Sequence, residues 1–535
     1  MVIFMANENK HYFKFYFMRL LTLGLSLLIT ASSFAQSIEI DNVKGYRFTG
    51  VKPIFADDGE TVSGYYTYYL VDKGEKGMRT LEFSIIDKGI TKVTKTPIEL
   101  HRSSTLNNTV FNGKYFLISY DDRKNKQIVF KVLDLEGKIV AEDNISADKR
   151  RVASSVVYPA ANGEGFYVVR PALVKNRIKG HYLEKIGNDL DQKWKIEDVV
   201  EKGIIQVAAL VNNKDRVVIW REHGTGIKKI KPQIVCYDAA TGETIFDRDG
   251  FDGTSTIMHN QIRIDDENNV IIGGPYVDGI KYKSVNNTGV YLLQLSQDGK
   301  EIFYTKVLTK EEIQPILKEV SKGVSVGSKD KIWIEDVVFD GEDIIVISEM
   351  FRKNINPKPA VYQKPRDLIT GKFMGDITYK DANGKSPKVT FEIMDYILFK
   401  FSKDGSLVEI KPITKDKYNK LTVYTPYVGL YGMQMAAAIE NAGWFDYKFT
   451  TVGKDGKRLM VCSNNAEARK PQVYTYGLDD DFAKSEINLK QESKINLDDG
   501  KVSSFNVMPN EGEKIGVAYY QRKLKRITIN IEDLF

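Results

Sequence analysis

Two cysteines in 535 residues, Cys236 and Cys462, leave no disulfide framework to hold the fold. Histidine is also sparse, at five residues, and none stand at the i, i+4 spacing of a helical zinc site, so no metal centre is indicated. No stretch reaches the ~20 consecutive apolar residues that a membrane-spanning helix needs. The chain lacks a dominant charge sign as well. Its formal net charge is +6, and the denser basic stretches, Lys149-Arg150-Arg151, Lys228-Lys229-Lys231 and Arg522-Lys523-Lys525-Arg526, lie far apart. Neither nucleic acid nor an anionic membrane is demanded as a partner. No cofactor motif is evident.

The N-terminus reads as an export signal. Lys14 and Arg19 flank the mostly apolar run Leu20 to Ile29, and Ser33 and Ala35 place small residues at the cleavage positions. Residues 1–35 are therefore expected to be a signal peptide cleaved at Ala35-Gln36, with residues 36–535 forming one domain in the periplasm or outside the cell.

Across that domain one unit recurs eight times: an apolar strand, a tight turn, a second strand, a loop and another hairpin. The third strands are clearest, at Leu81 to Ile86, Ile128 to Leu133, Tyr182 to Ile186, Ile234 to Tyr237, Val290 to Leu295, Tyr396 to Phe401, Val473 to Tyr476 and Ile527 to Ile531. β-Branched and aromatic residues dominate them, and pairs such as Asp298-Gly299 and Asp404-Gly405 read as two-residue hairpin turns. Second strands such as Tyr115 to Ile118, Val217 to Trp220 and Ile344 to Ile347 are apolar on both faces, as strands sandwiched between neighbouring sheets must be.

This is the pattern of an all-β β-propeller of about eight four-stranded blades, with seven as the alternative. The eighth copy stops after its third strand, while Ser37 to Val43 has no partner of its own. The N-terminal strand is expected to join the C-terminal blade and close the ring. Three blades apart, the two cysteines lie beyond bridging distance and are expected as buried thiols. An outer-membrane barrel is disfavoured, because these strands lack the apolar/polar alternation over ~10 residues that lipid contact requires.

Three insertions break the repeat. Residues 309–328 hold an expected helix, with Thr309 and Glu312 as a capping box and Pro315 opposing an uninterrupted run. Residues 351–394 carry a hairpin at Asn383-Gly384. Residues 416–446 hold Tyr424, Tyr427 and Tyr431, a helix near Met433 to Asn441, and Trp444. All three fall in connections that open on one face, and propellers usually bind where insertions gather. Second strands end toward the same face near the channel, placing Tyr120, Arg170, Arg221, His223, Glu349, Arg352, Asn464, Tyr519 and Arg522 there. Arginine forks bind carboxylates and aromatic rings stack, so these residues, with Trp444 and Asp446, form a candidate site for a glycan, peptide or other polar ligand.

Motifs for specific chemistry weaken on inspection. Gly323-Val324-Ser325-Val326-Gly327 matches a nucleophile elbow, but no histidine follows His259 to complete a hydrolase triad. Gly384-Lys385-Ser386 lacks the earlier glycine of a phosphate loop, having Tyr379 there. Ser296-Gln297-Asp298-Gly299 and Ser402-Lys403-Asp404-Gly405 resemble fragments of a sialidase Asp box but lack its extra residue and following aromatic. A glycosidase needs two carboxylates about 5 to 10 Å apart, and Glu349 with Asp446 is the candidate pair.

With its Ser33-Phe34-Ala35-Gln36 junction and eight hairpin repeats, the chain resembles the uncharacterised exported propeller proteins of Bacteroidetes-type bacteria. That resemblance implies fold and compartment and carries no functional residues. The leading expectation is an exported non-catalytic binding or scaffold protein. The alternative is a carbohydrate-active enzyme, a glycoside hydrolase or lyase. A third reading is an accessory subunit of an envelope assembly.

Overall fold

Each repeat folds into one antiparallel sheet, because its tight hairpins lay successive β-branched runs side by side. In this computed structural model residues 37–534 are described apart from 45–49, 57–60, 73–76, 147–154, 176, 225–229, 251–254, 259, 279–288, 321–329, 357–387, 424–435, 437–438, 441–442, 454–455, 465–470, 479–482, 488 and 490–501. Eight sheets result. Blade 1 begins with Lys52–Phe55, blade 2 with Thr105–Phe111, blade 3 with Val156–Pro159, blade 4 with Ile204–Asn212 and blade 5 with Ser255–Ile257. Blade 6 begins with Asp330–Asp340, blade 7 with Tyr447–Val452 and blade 8 with Val502–Pro509. Every expected third strand lies inside an observed one.

The ring closes through the N-terminal strand. Ser37–Ile40 pairs antiparallel with Ile527 to Asn530, completing blade 8 as its fourth strand. Val43 N–H then donates to Lys525 O at 2.8 Å, and Tyr520 Oη donates to Val43 O at 2.8 Å.

The core is divided into eight apolar layers, one between each pair of neighbouring blades. The layer joining blades 8 and 1 contains Ile40, Tyr65, Ile86 and Ile529. Cys236 and Cys462 are free, buried, and in separate layers. First strands of several neighbouring blades touch, among them Thr105–Phe111 with Val156–Pro159 and Tyr447–Val452 with Val502–Pro509, as strands around an axis do. No described helix is long and apolar enough to cross a membrane.

The third-to-fourth hairpins are wider than the two-residue turns expected. Gly299 N–H donates to Ser296 O at 2.9 Å, Ser296 N–H donates to Lys300 O at 2.8 Å, and the strand register slips between Gln294 and Leu295. This is a three-residue loop ending in a left-handed residue, which sustains strand twist. Gly137, Gly299 and Gly405 take that position at φ between 77° and 81° and Leu190 takes it in blade 3, whereas blades 1 and 4 have four-residue loops that hold Ile90 and Gly242 at positive φ. Some of these glycines also meet a close neighbour. A Cβ on Gly405 would stand 2.3 Å from the ring of Phe303 in the preceding blade.

The insertions depart from their expected bounds. Thr309–Ile313 is a π-helical turn that leads into the α-helix Gln314–Val320. Pro315 has no N–H to continue an α-helical ladder from the preceding turn, and the Gln314 N–H bonds five residues back, to Thr309 O. Glu312 accepts from the Leu308 backbone N–H rather than forming a box around Thr309. Between 351 and 394, the strands Asp343–Asn356 and Lys388–Ser402 remain paired to Asn356 and Lys388. The third insertion contributes Asn419–Val423 as a fifth strand of blade 6, paired with Val389 to Ile393. Beyond it, Ala436, Ile439 and Glu440 are helical. Asn383-Gly384, Gly384-Lys385-Ser386, Gly323 to Gly327, Tyr424, Tyr427 and Tyr431 lie outside the described residues.

Candidate functional site

Blade 6 has the longest paired strands, 14 and 15 residues, and they project on the insertion-bearing face. Projection exposes apolar side chains that the neighbouring blades cannot cover, and the third insertion covers them. Trp333, Phe351, Val389, Phe391 and Ile393 pack with Ala436, Ile439 and Phe445 in a ninth apolar cluster. Trp333 stacks on Phe445 at 6.3 Å between ring centroids, and Phe351 meets Phe445 edge-on at 5.9 Å.

Under this roof, at the seam of blades 6 and 7, lies a buried ion cluster. Glu349 comes from the second strand of blade 6, Lys415 from the segment just after its fourth strand, and Asp446 from the residue preceding blade 7. Lys415 Nζ donates to Asp446 Oδ2 at 2.9 Å and also contacts Glu349 Oε1. The three side chains are between 0% and 4% exposed. Glu349 accepts the Asp446 backbone N–H at 3.1 Å through Oε2. Asn464 Nδ2 donates to Asp446 Oδ2 at 2.7 Å, and Asn419 Nδ2 reaches Oδ1 at 3.4 Å. The ring of Tyr396 stands 4.1 Å from Lys415 Nζ.

Irregular strands create this geometry. The register slips between Glu349 and Phe351, setting Met394 and Asp395 opposite Met350 alone. A bulge re-aims the side chains around it. Asp395 thereby accepts the Lys415 backbone N–H at 2.8 Å and the Tyr418 hydroxyl at 2.7 Å, fixing the segment that carries the lysine. A second bulge leaves Glu335 extra in the first strand. Its Oε1 is enclosed with no hydrogen-bond partner among the described residues.

Electrostatics follow from burial. Desolvation pushes the Glu349 carboxyl up to about 7; Lys415 opposes this and Asp446 adds to it. Burial acts to lower the Lys415 ammonium, but the two carboxylates outweigh it and hold the group above the usual lysine range. Glu335 is raised well above an ordinary glutamate by burial and then by the Glu349 charge. Fully ionised, Glu349, Lys415 and Asp446 carry one excess negative charge in a dry seam.

Of the residues anticipated from sequence, the structure brings together Glu349, Asp446 and Asn464, with Trp444 alongside through a 6.2 Å ring contact to Phe391. The others are dispersed among the blades. The arginine forks, expected to face a ligand, are engaged by the protein itself. Arg170 grips Glu184 through Nε at 3.1 Å and Nη2 at 2.5 Å. Arg221 bridges Asp198 at 2.6 Å and Asp247, tying blade 3 to blade 4. Arg352 binds Asp330, with Nη2 at 2.8 Å. His223 Nε2 lies 3.2 Å from Lys202 O. Tyr120 and Tyr519 are buried in blades 2 and 8, and Arg522 is exposed. Lys415, Asn419, Asp395 and Glu335 were missed by sequence reasoning. Their common signal is position beside a bulge or strand end, which requires the strand register.

Several solved structures are similar to this chain. The β-propeller domain of the Trilobed protease from Pyrococcus furiosus is 12% identical, covering 80% of this chain and 94% of that chain at a TM-score of 0.35. The WD40 domain of SCAP from fission yeast is 9% identical, covering 91% and 98% at 0.37. The quinohemoprotein alcohol dehydrogenase ADHIIG from Pseudomonas putida HK5 is 10% identical, covering 90% and 75% at 0.42. At such identities the likeness extends to the fold alone. No curated protein matches the chain. A family model does, over residues 17–535, and the chain belongs to that family, a family of unknown function (DUF6770).

Proposed function

We propose that the chain is an exported, non-catalytic binding or scaffold protein that presents the insertion-bearing face of its propeller to a glycan, a peptide or an envelope protein. The observation that carries this reading is the internal commitment of the polar groups on that face. A catalytic carboxylate pair must reach its substrate, whereas Glu349 and Asp446 are 0% and 1% exposed and share Lys415. The roof of Trp333, Phe351 and Phe445 supports the same conclusion, because it makes the insertion part of the packed structure and gives a partner a firm surface. Export rests on the basic and apolar N-terminal segment with its Ala35-Gln36 junction.

A glycan and peptide binding screen of residues 36–535, repeated with Trp444→Ala, tests the face. Binding that weakens with Trp444→Ala is expected, and equal binding by both proteins moves the contact elsewhere. Glycan cleavage that disappears in folded Glu349→Gln and Asp446→Asn variants would replace this reading with the enzyme. N-terminal sequencing of the protein recovered from its native cell tests export, with Gln36 expected as the first residue.

A further inference from the structure

Lys415 and Asp446 stand at the two ends of the third insertion, and their side chains meet. The ammonium nitrogen is 2.9 Å from Asp446 Oδ2 and in contact with Glu349 Oε1. The ring of Tyr396 lies 4.1 Å from the ammonium, and the three polar side chains are essentially inaccessible to water. The Asp446 carboxyl receives an amide N–H on each oxygen, from Asn464 at 2.7 Å and Asn419 at 3.4 Å. A buried amine is thus held against a buried carboxyl, with a second carboxyl touching the amine and two donors on the oxygens where charge would develop.

A buried ion pair persists only where good geometry and further hydrogen bonds offset the loss of water. Each ion taken from water carries a large desolvation cost, and attraction between the ions recovers it only in part. Condensation of the lysine with the aspartate would replace both charges by one neutral amide, and the enclosure would disfavour the returning water.

We propose that Lys415 Nζ and Asp446 Cγ are joined by a side-chain amide, with Glu349 as the proton carrier. Glu349 takes a proton from the ammonium, leaving a neutral amine whose lone pair attacks Cγ. The N–Cγ bond forms, Glu349 returns that proton to one Asp446 oxygen, then carries a second proton from the nitrogen to the same oxygen, and the C–O bond breaks. One Asp446 oxygen leaves as water with two of the three ammonium protons, and the third stays on the amide nitrogen. Glu349 ends in the protonation state in which it began, and no oxidant or cofactor is required. Fixed proximity drives the attack, while Asn464 and Asn419 stabilise the charge on the tetrahedral carbon's oxygens. The product closes the insertion into a covalent loop at its base.

Peptide mapping of the folded wild-type chain by tandem mass spectrometry tests the bond directly. A branched tryptic peptide joining the Lys415 and Asp446 segments is expected, lighter by one water than its two linear components and uncut after Lys415. Glu349→Gln is expected to give the linear peptides, whereas Asp446→Asn should form the same link with loss of ammonia. The proposal is overturned if linear peptides ending at Lys415 account for the folded wild type, or if the branch maps to Glu349. A link that persists undiminished in Glu349→Gln removes the proton carrier.

Discussion

Lys415→Met is the most revealing single change in this molecule. Methionine occupies a similar volume, so packing against Tyr396 is largely retained, but Glu349 and Asp446 lose their common cation. Removing one partner from a buried ion set costs about 3–5 kcal/mol, because the remaining charge has nowhere to be solvated. For a chain of this size, a cooperative melt shifts by roughly 1–2 °C per kcal/mol, by extension from smaller proteins. The expected fall in Tm is therefore about 3–10 °C at pH 8, read by circular dichroism. At pH 5 the loss should shrink, since protonating the stranded Glu349 carboxyl, raised to about 7 by burial, removes one unpaired charge. Adding Glu349→Gln and Asp446→Asn to Lys415→Met should recover most of the loss for the same reason. A Lys415→Met protein that melts within about 1 °C of wild type at pH 8 would refute the assignment of Lys415 as the partner on which both buried carboxyls depend.

Three further outcomes are expected. The Glu349 carboxyl is raised from 4.5 to about 7 by burial, so the folded chain holds a proton there that the unfolded chain has lost. The stability this supplies is full below pH 4.5 and lost as pH rises through 7, and urea unfolding of Glu349→Gln should show a shallower decline across that window. Gly405→Ala should cost more than Gly341→Ala in the same assay. Both residues have positive φ, worth about 1–2 kcal/mol against alanine, but only Gly405 would drive its Cβ into Phe303, adding about 1–3 kcal/mol of overpacking, while Gly341 faces open space. Ile40→Ala should destabilise the ring closure by about 2–5 kcal/mol, because Ile40 is 1% exposed between blades 8 and 1. Ser37→Ala, at an exposed site on the same strand, should leave the melt unchanged.

Most of the architecture was legible because propeller strands are short and their punctuation is chemical. The β-branched runs marked every third strand, and the partnerless Ser37 to Val43 pointed to the blade that lacked a strand. The meeting of Glu349 and Asp446 was also readable, since one ends a second strand and the other precedes the next blade. Lys415 was not, because it lies in Thr414-Lys415-Asp416-Lys417-Tyr418-Asn419-Lys420, a stretch that reads as solvated loop. Only the bulge at Asp395 turns that segment inward. Arginine pairing needed register rather than composition. Arg352 faces Asp330 directly across the ladder, and Arg170 faces Tyr182 with Glu184 on the diagonal, the two cross-strand positions within reach of a long side chain.

The position of the ion cluster bears on what the insertions do. Blade 6 outgrows the ring, and its extra length is useful only if something packs on it, which the ninth apolar cluster does. A brace at the base of that extension need not be ionic, since well-packed apolar residues of similar volume usually stabilise a buried site as well or better than an ion set. Three titratable groups with one excess charge are therefore a poor choice for a simple brace. They become a good choice if the lysine and aspartate are consumed in forming a bond and the glutamate moves the proton. On that reading, the Asn464 and Asn419 amides and the inward-turned Lys415 serve one reaction that ends once the insertion is fastened. The exposed side of the roofed extension is then left as the surface a partner meets.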